Sequence, residues 1–239
     1  MQSNVKKAIL QNLRRVRPGK ILDFPAGAGW LRNELGAGWE YHGADLYANV
    51  DIPNFRIANL QERFPYGDEQ FDCVTCLEGL EHIENYHHVL RECQRVLRPG
   101  GTLIVSTPNT ASVKGRLRYF WRGTFNGFPH LVDMPADGEH VHINPINLSF
   151  LVAFAGKYGL VVEEVASLDL RLSNLRFAPF AAAIRLAHWL GSWRKDQRQH
   201  EFMARVTSWN FLLSDGMAIR FRKRDSGACA ASPSNAKAA

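Results

Sequence analysis

The stretch KILDFPAGAGWLRNELG, residues 20–36, decides how this chain folds. Its first six residues form a short apolar run that ends in turn formers, and its last seven have helical composition with a glycine stop. Between these runs, Gly27 and Gly29 have no Cβ where the backbone must turn. We therefore predict a strand, a glycine-rich turn and a helix whose free N-terminal amides can bind a ligand.

Short apolar runs and helical segments continue to alternate after this turn. The remaining elements are predicted as strands over 41–45, 55–59, 71–77, 102–106, 160–168 and 217–222, and as helices over 86–97 and 145–158. The Arg-Pro-Gly sequence at 98–100 stops the first of these helices. Strict alternation of strand and helix predicts a parallel sheet that is covered on both faces.

The domain organisation follows from where this alternation fails. Residues 109–144 lack it and are predicted to form a functional loop or a small lid. We expect a single domain over 1–224, which includes a basic and aromatic helical insertion over 168–215. The small, polar residues 225–239 are predicted to be a disordered tail.

Composition and charge exclude several classes of protein. With 46% apolar residues and four scattered cysteines, the chain is neither disordered nor a disulfide scaffold, and it has no apolar run long enough to span a bilayer. We therefore expect a cytoplasmic protein. The net charge of +6 is concentrated in residues 168–224, which hold eleven basic and four acidic residues, whereas the remainder holds 18 and 19. Anionic partners are expected to meet this C-terminal region.

An acidic residue indicates what the glycine turn binds. Asp45 closes the second predicted strand, sixteen positions after Gly29, where a carboxylate can accept hydrogen bonds from both hydroxyls of a ribose. The dinucleotide fingerprint would need a third glycine where Arg32 stands, and no Walker sequence follows the glycines. The turn and Asp45 therefore predict a nucleoside ligand other than NAD or FAD.

These segments, in this order, resemble the class I S-adenosylmethionine-dependent methyltransferases of the bacterial small-molecule type, over about residues 18–168. The matching segments are ILDFPAGAG, GADLY, NLQERFPYGDEQFDCVTCLEGLEHIEN and VLRECQRVLRPGGTLIVSTPN. The resemblance implies an α/β, Rossmann-like fold: a seven-stranded, mostly parallel sheet with an antiparallel last strand, helices on both faces and a helical insertion near the C-terminus. It also implies S-adenosyl-L-methionine as the cofactor.

The resemblance assigns cofactor contacts by position. Asp23 and the turn backbone would hold the methionine part, Asp45 the ribose, and Asn59 the adenine edge. Pro25 stands where the family usually has glycine, and its ring fixes φ near −65°. The full implied set is Asp23, Pro25, Ala26, Gly27, Gly29, Asp45, Leu46, Asn59, Leu60, Leu77 and Glu78.

Histidines dominate the predicted acceptor side. His140 and His142 are candidates for a general base, because a near-neutral imidazole can take the proton of a hydroxyl acceptor. His82, Asn109 and His130 are candidate substrate contacts. For Glu81 and His82, which resemble the family's Glu-His pair after the fourth strand, packing and substrate contact both stay open. The His-x-His spacing also suits a metal, but no third ligand is identifiable nearby, so no metal site is predicted.

The segment 175–195 interleaves aromatic and basic residues and allows three interpretations. It resembles a helix that lies in a membrane interface, peripheral to the inner face of the membrane. A lid or homodimer helix is the alternative, since apolar faces usually pack against protein. Nucleic acid ranks third, because no recognition motif is present.

We therefore expect a methyltransferase that acts on a small-molecule, lipid-linked or glycan-type acceptor. The alternatives are a non-catalytic methyltransferase-like binding protein, which Pro25 favours, and an RNA or protein methyltransferase, which would need the basic segment to bind a polymer. The sequence leaves open whether the acceptor atom is oxygen, nitrogen or carbon.

Overall fold

The computed structural model describes residues 3–47, 54–130, 141–191 and 196–225. The strands are β1 Lys20–Asp23, β2 Glu40–Asp45, β3 Arg56–Ile57, β4 Phe71–Leu77, β5 Leu97–Pro108, β6 Leu160–Leu170 and β7 Ser214–Lys223. The helices are α1 Ser3–Leu13, α2 Trp30–Glu34, α3 Tyr86–Val96, α4 Val113–Arg122, α5 Leu148–Lys157, α6 Ala178–Gly191, α7 Gln197–Val206 and α8 Trp209–Leu212. Two 3₁₀ turns span Leu80–His82 and Leu172–Phe177.

The strands form one seven-stranded sheet in the order β3-β2-β1-β4-β5-β7-β6. The first five strands pair in parallel, and β7 runs antiparallel between β5 and β6. This arrangement confirms the predicted fold class. Because the order reverses at β1 and β4, the carboxyl ends of these two strands border the crevice where open α/β sheets bind ligands.

The central strand β4 shows why the sheet is buried on both faces. Cys73 and Cys76 lie three residues apart and pack into different apolar clusters, one with α1 and the other with α3. Both thiols are buried, and burial raises the pKa of each well above its usual range. The Cys-x-x-Cys spacing therefore belongs to the core of this sheet, as the sequence predicts.

Two elements differ most from the prediction. β5 begins at Leu97, so the Arg-Pro-Gly sequence that ends α3 lies at the start of a strand. Helix α4 lies in the region predicted as a loop or lid; Ser112 caps it by accepting a hydrogen bond from the Gly115 amide, and Gly123 ends it in the left-handed conformation. Charged residues between its apolar positions hide α4 from a simple pattern search.

The predicted insertion at 168–215 consists mostly of helix, from the Leu172–Phe177 turn to α8. Of the predicted tail, all but Asp225 lies outside the described residues. None of the described helices has the length and apolar content to cross a bilayer.

Candidate active site

The glycine turn leaves open space at the carboxyl end of β1. Gly27 has φ +53°, and a Cβ built there would meet no atom within 4 Å. Gly29 has φ +68° at the start of α2. Both positions therefore require glycine for their backbone conformation, and the space beside Gly27 is available to a ligand. Since α2 has only five residues, the open turn contributes more to a site here than the helix end does.

Asp45 holds this turn in place from the neighbouring strand. One carboxylate oxygen accepts a hydrogen bond from the Gly27 amide at 2.7 Å, and the other accepts one from the Leu46 amide at 2.7 Å. The side chain is 8% exposed and ends β2. Each oxygen keeps a second lone pair for a hydroxyl group, so the predicted ribose contact is chemically available.

Asp23 is placed differently from Asp45. It is 1% exposed, and its two oxygens accept hydrogen bonds from the Thr75 hydroxyl at 2.6 Å and the Tyr41 hydroxyl at 2.9 Å. Burial raises the pKa of Asp23 to about 7, against the effect of these hydrogen bonds. In this structure the Asp23 side chain links β1 to β2 and β4, just before the glycine turn.

Pro25 packs against Gly79, which follows β4. The Phe24–Pro25 peptide bond is cis. A Cβ on Gly79 would lie 2.7 Å from Pro25 Cδ, so only glycine fits opposite this ring. The adjacent Ala26 is buried, and its amide donates to the Ala44 carbonyl at 2.9 Å. These contacts close the turn onto β2 and β4.

The predicted adenine segment continues from β2. The Ala58 amide donates to the Asp45 carbonyl at 2.8 Å, which brings Asn59 beside the end of that strand. The Asn59 side-chain oxygen accepts from the Gln61 amide at 2.9 Å. Leu60 and Leu77 are buried, whereas Leu46 is 48% exposed. Leu46 is the one of these apolar side chains that can still lose solvent contact when a ligand binds.

Glu78 follows β4 in an uncommon backbone conformation, with φ +50°. Its amide donates to the Ser106 carbonyl, and its carboxylate accepts from the Ser106 hydroxyl at 2.8 Å. Burial raises the pKa of Glu78. A non-glycine residue in the left-handed region persists where its surroundings hold it, and such residues are concentrated at functional sites.

Glu81 is the residue whose importance the sequence leaves undetermined. It is 0% exposed, and neither carboxylate oxygen has a hydrogen-bond partner of normal geometry among the described residues. Burial, assisted by the charge of Glu78, raises the pKa of Glu81 to about 8, although its own backbone amide and the Thr107 hydroxyl act in the opposite direction. A buried polar group without a partner is costly, so a carboxylate in this state indicates a function that needs it.

His82 and His142 complete a cluster with Glu81. One ligand atom from each of the three residues lies within 4.8 Å of the others. The two imidazole rings are 4.7 Å apart, and His82 Nδ1 donates to the Val141 carbonyl at 3.1 Å. Backbone amides of Ile143 and Asn144 donate to the Glu81 carbonyl, which fixes the segment carrying His142 against the Leu80–His82 turn.

The His142 imidazole is half-buried, and its Nδ1 has no hydrogen-bond partner among the described residues. Burial lowers its pKa below the usual 6.5, although the Gly127 backbone acts in the opposite direction. The neutral ring is therefore the main form at neutral pH, which suits a proton acceptor.

The other predicted acceptor residues lie elsewhere. Asn109 is 3% exposed; its amide group donates to the Phe211 and Ser214 carbonyls and its oxygen accepts from the Ala111 amide, so here it is a structural link. His130 is exposed, 3.4 Å from the Thr124 hydroxyl. His140 lies outside the described residues.

The Glu81, His82 and His142 cluster has two chemical capacities. A carboxylate and a neutral imidazole can accept a proton or hydrogen bonds from a hydroxyl group. The same three groups are ligand types for divalent transition metals, so the missing third ligand no longer argues against a metal. About sixty residues separate Glu81 from His142, and no local pattern in the sequence could bring them together.

Known methyltransferases are similar to this chain over part of its length. The family model described as "Methyltransferase domain" matches residues 1–165. The ubiquinone biosynthesis O-methyltransferase of Pseudomonas fluorescens is 31% identical over 165 residues, which cover 62% of this chain and 67% of that protein. The demethylmenaquinone methyltransferase of Mycobacterium bovis is 37% identical over 107 residues, or 41% and 46% of the two chains.

Solved structures resemble the fold at low sequence identity. The YcgJ protein of Bacillus subtilis has a TM-score of 0.55 at 16% identity, covering 94% of this chain and 100% of that one. The Burkholderia thailandensis 1,6-didemethyltoxoflavin-N1-methyltransferase, solved with S-adenosylhomocysteine, has a TM-score of 0.54 at 14% identity over 93% and 79%.

Proposed function

Since this chain belongs to the methyltransferase domain family and is an S-adenosylmethionine-dependent methyltransferase of class I, we propose that it methylates a hydroxyl group of a small, apolar acceptor. The observation that carries this proposal is the buried Glu81 carboxyl group beside His142 at the carboxyl edge of the sheet, which has no hydrogen-bond partner of normal geometry among the described residues. An acceptor that donates a hydrogen bond satisfies a group that the protein leaves unpaired.

The glycine turn fits a nucleoside cofactor. Open space beside Gly27 and the Asp45 carboxylate lie at the carboxyl ends of β1 and β2, as a ribose and its substituents require. The proposed contacts are Asp45 to the ribose, the Asn59–Leu60 segment to the base, and the Ala26–Gly29 backbone to the amino acid part. Pro25, which favours the non-catalytic alternative in the sequence, packs against Gly79 and leaves this space open.

When bound, S-adenosylmethionine supplies a methyl group on a sulfonium, whose departure as a neutral thioether needs no acid catalyst. The acceptor oxygen forms its new bond to the methyl carbon as the sulfur–carbon bond breaks. Its proton passes to the neutral His142 imidazole, and the charges balance because the sulfonium loses its positive charge while the imidazole gains the proton. Glu81, whose raised pKa keeps it protonated at neutral pH, offers the acceptor a hydrogen bond. Positioning of the acceptor supplies most of the rate.

The acceptor class draws on two further facts. The names of two relatives refer to ubiquinone and menaquinone, which are apolar quinones. In this chain the rings of Phe128 and His142 are 5.3 Å apart, so an aromatic surface lies beside the proposed base. An acceptor with an apolar ring and a hydroxyl group matches both features.

A methyl-transfer assay tests this proposal. The protein is incubated with methyl-labelled S-adenosylmethionine and either an alkyl hydroquinone or the aniline with the same alkyl chain. We expect label on the hydroquinone oxygen, and at least about a hundredfold slower transfer by Glu81→Gln, which keeps the volume but replaces the carboxyl group that would bind the acceptor hydroxyl. S-adenosylhomocysteine affinity should be unchanged in Glu81→Gln.

The exposed Asp68, which pairs with Arg95 at the surface, gives the matched control Asp68→Asn, and its transfer rate should equal that of the wild type. Labelling of the aniline alone, or equal rates for Glu81→Gln and wild type on the hydroquinone, would contradict the proposed hydroxyl chemistry.

A further inference from the structure

Helix α6 carries its apolar side chains on the side that faces solvent. Ala181 and Ile184 pack inward against the protein, together with the two polar residues Arg185 and His188. Arg185 donates to the Thr207 carbonyl at 2.8 Å, and the His188 ring stacks with the α7 His200 ring. The exposed positions of the helix are Pro179, Phe180, Ala182, Ala183, Leu186, Ala187, Trp189, Leu190 and Gly191. A helix on the surface of a soluble protein normally has the opposite orientation.

Helix α4 adds a second exposed apolar group beside α6. Val113 and Leu117 of α4 pack into the same cluster as Ala181 and Ile184 of α6. At the far end of α4, Phe120 is 75% exposed and Trp121 is 76% exposed, with their ring centroids 5.0 Å apart. We call the exposed side chains of the two helices the aromatic face; its main members are Phe120, Trp121, Phe180, Leu186, Trp189 and Leu190.

The charges around the aromatic face have one sign. Residues 110–130 and 170–191 contain seven lysines and arginines and no aspartate or glutamate. Arg122 and Arg176 are exposed and form no ion pair among the described residues. By contrast, Lys114 and Arg171 pair with Asp215, and Arg220 of β7 pairs with Glu163 and Glu164. The uncompensated cations therefore lie next to the exposed aromatic side chains.

We propose that the aromatic face binds the surface of a bilayer that contains anionic lipids. Aromatic side chains settle at the depth of the lipid head groups, and arginines beside them meet anionic phosphates. A homodimer through the same face would place the unpaired arginines of both copies in one interface, where these segments offer no carboxylate to face them, which opposes association. A lid would bury its apolar side against its own chain, whereas here that side is exposed.

Ring contacts connect this surface to the proposed acceptor site. Tyr119, at the end of α4, stacks on Phe125 with ring centroids 4.6 Å apart. Phe128, three residues further, contacts the His142 ring at 5.3 Å. Provided that the proposed function holds, the segment from α4 to Phe128 joins one helix of the aromatic face to the proposed acceptor site.

Vesicle sedimentation tests the membrane proposal. The protein is mixed with vesicles of phosphatidylcholine alone or with one third phosphatidylglycerol, at low and high salt. We expect binding to the anionic vesicles, weakened by salt, and at least about tenfold weaker partitioning for the double variants Phe120→Ser/Trp121→Ser and Leu186→Ser/Leu190→Ser. Arg122→Gln/Arg176→Gln should lose about fivefold for each cation.

The matched controls are Phe150→Ser, an exposed aromatic on α5, and Arg17→Gln, an exposed cation near α1. Both should bind vesicles as the wild type does. Equal losses in the controls, no binding to anionic vesicles, or a dimer in solution that the Leu186→Ser/Leu190→Ser variant converts to monomer would overturn the proposal. S-adenosylhomocysteine affinity and methylation of the soluble hydroquinone, measured in the same variants, report separately on the proposed function.

Discussion

The two sides of the candidate active site satisfy their carboxylates in different ways. On the cofactor side, Asp23 and Asp45 each have partners for both oxygens, from two hydroxyls and from two backbone amides. On the acceptor side, Glu81 is equally buried and has none of normal geometry among the described residues. The comparison teaches that the protein itself satisfies the carboxylates of one half of the site, whereas in the other half it leaves a buried carboxyl group available to a ligand.

The largest expected effect comes from a substitution that disrupts the cofactor side of the site. Gly27→Val fills the open space beside the turn, so we expect S-adenosylhomocysteine affinity to fall at least about a hundredfold in calorimetric titration. Gly123→Val is the matched control, because Gly123 also has a positive φ with nothing within 4 Å, but it ends α4. The control should lose comparable stability and keep its affinity; equal affinity losses would mean that backbone strain alone explains the result.

The second effect concerns the contact between the two sides. Gly79→Ala puts a Cβ 2.7 Å from Pro25 Cδ, so the glycine turn or the Leu80–His82 turn must move. We expect a loss of about 2 kcal/mol in urea unfolding and weaker cofactor binding. Gly36→Ala, where a Cβ meets nothing within 4 Å, should change stability by less than about 0.5 kcal/mol. An unchanged Gly79→Ala protein would show that the two turns move independently.

The smallest expected effect tests the protonation of Glu81, on the acceptor side, through the pH dependence of the free energy of unfolding. With its pKa raised to about 8, Glu81 binds a proton in the folded state between the unfolded pKa, near 4, and pH 8. Because the unfolded chain has released that proton, the free energy of unfolding falls as pH rises through this window and levels above it. Glu81→Gln has no proton to lose, so it should be more stable than wild type above pH 8, by more than about 1 kcal/mol.

The stability of both proteins should be compared by urea unfolding from pH 4 to pH 9. Asp23, with a pKa of about 7, adds a similar fall in both proteins and therefore cancels in the difference between them. If the free energies of unfolding of the wild type and Glu81→Gln differed by the same amount at every pH in this range, Glu81 would be ionised in the folded protein and held by a partner.

The sequence predicts which residues of the proposed cofactor half lie together, because that half is local. Strand, glycine turn and helix are contiguous at residues 20–36, and Asp45 ends the next strand, so alternation alone places the Gly27–Asp45 pair at one edge. The strand order and the antiparallel β7 follow from the family resemblance. β4 matches its predicted bounds, Phe71–Leu77, because this mostly buried run lies between the polar residues 68–70 and Glu78–Gly79.

The acceptor half escapes sequence reasoning because its contacts are distant. Asn109 and Glu81 both follow sheet strands, yet the first is occupied by the backbone of residues 211 and 214, and the second faces His142. Neither partner is visible in a local window. Helix α6 lies within the predicted helical segment 175–195, but only the structure shows that its apolar side faces outward.

The most direct test of the cofactor site is an amide NMR titration of the isotopically labelled protein with S-adenosylhomocysteine. If the glycine turn holds the cofactor, the largest shifts fall on the amides of Gly27, Gly29, Leu46 and Leu60, whereas those of α4 and α6 stay in place. Saturable shifts confined to other elements, with the Gly27 and Leu46 amides unchanged, would contradict this account of the site.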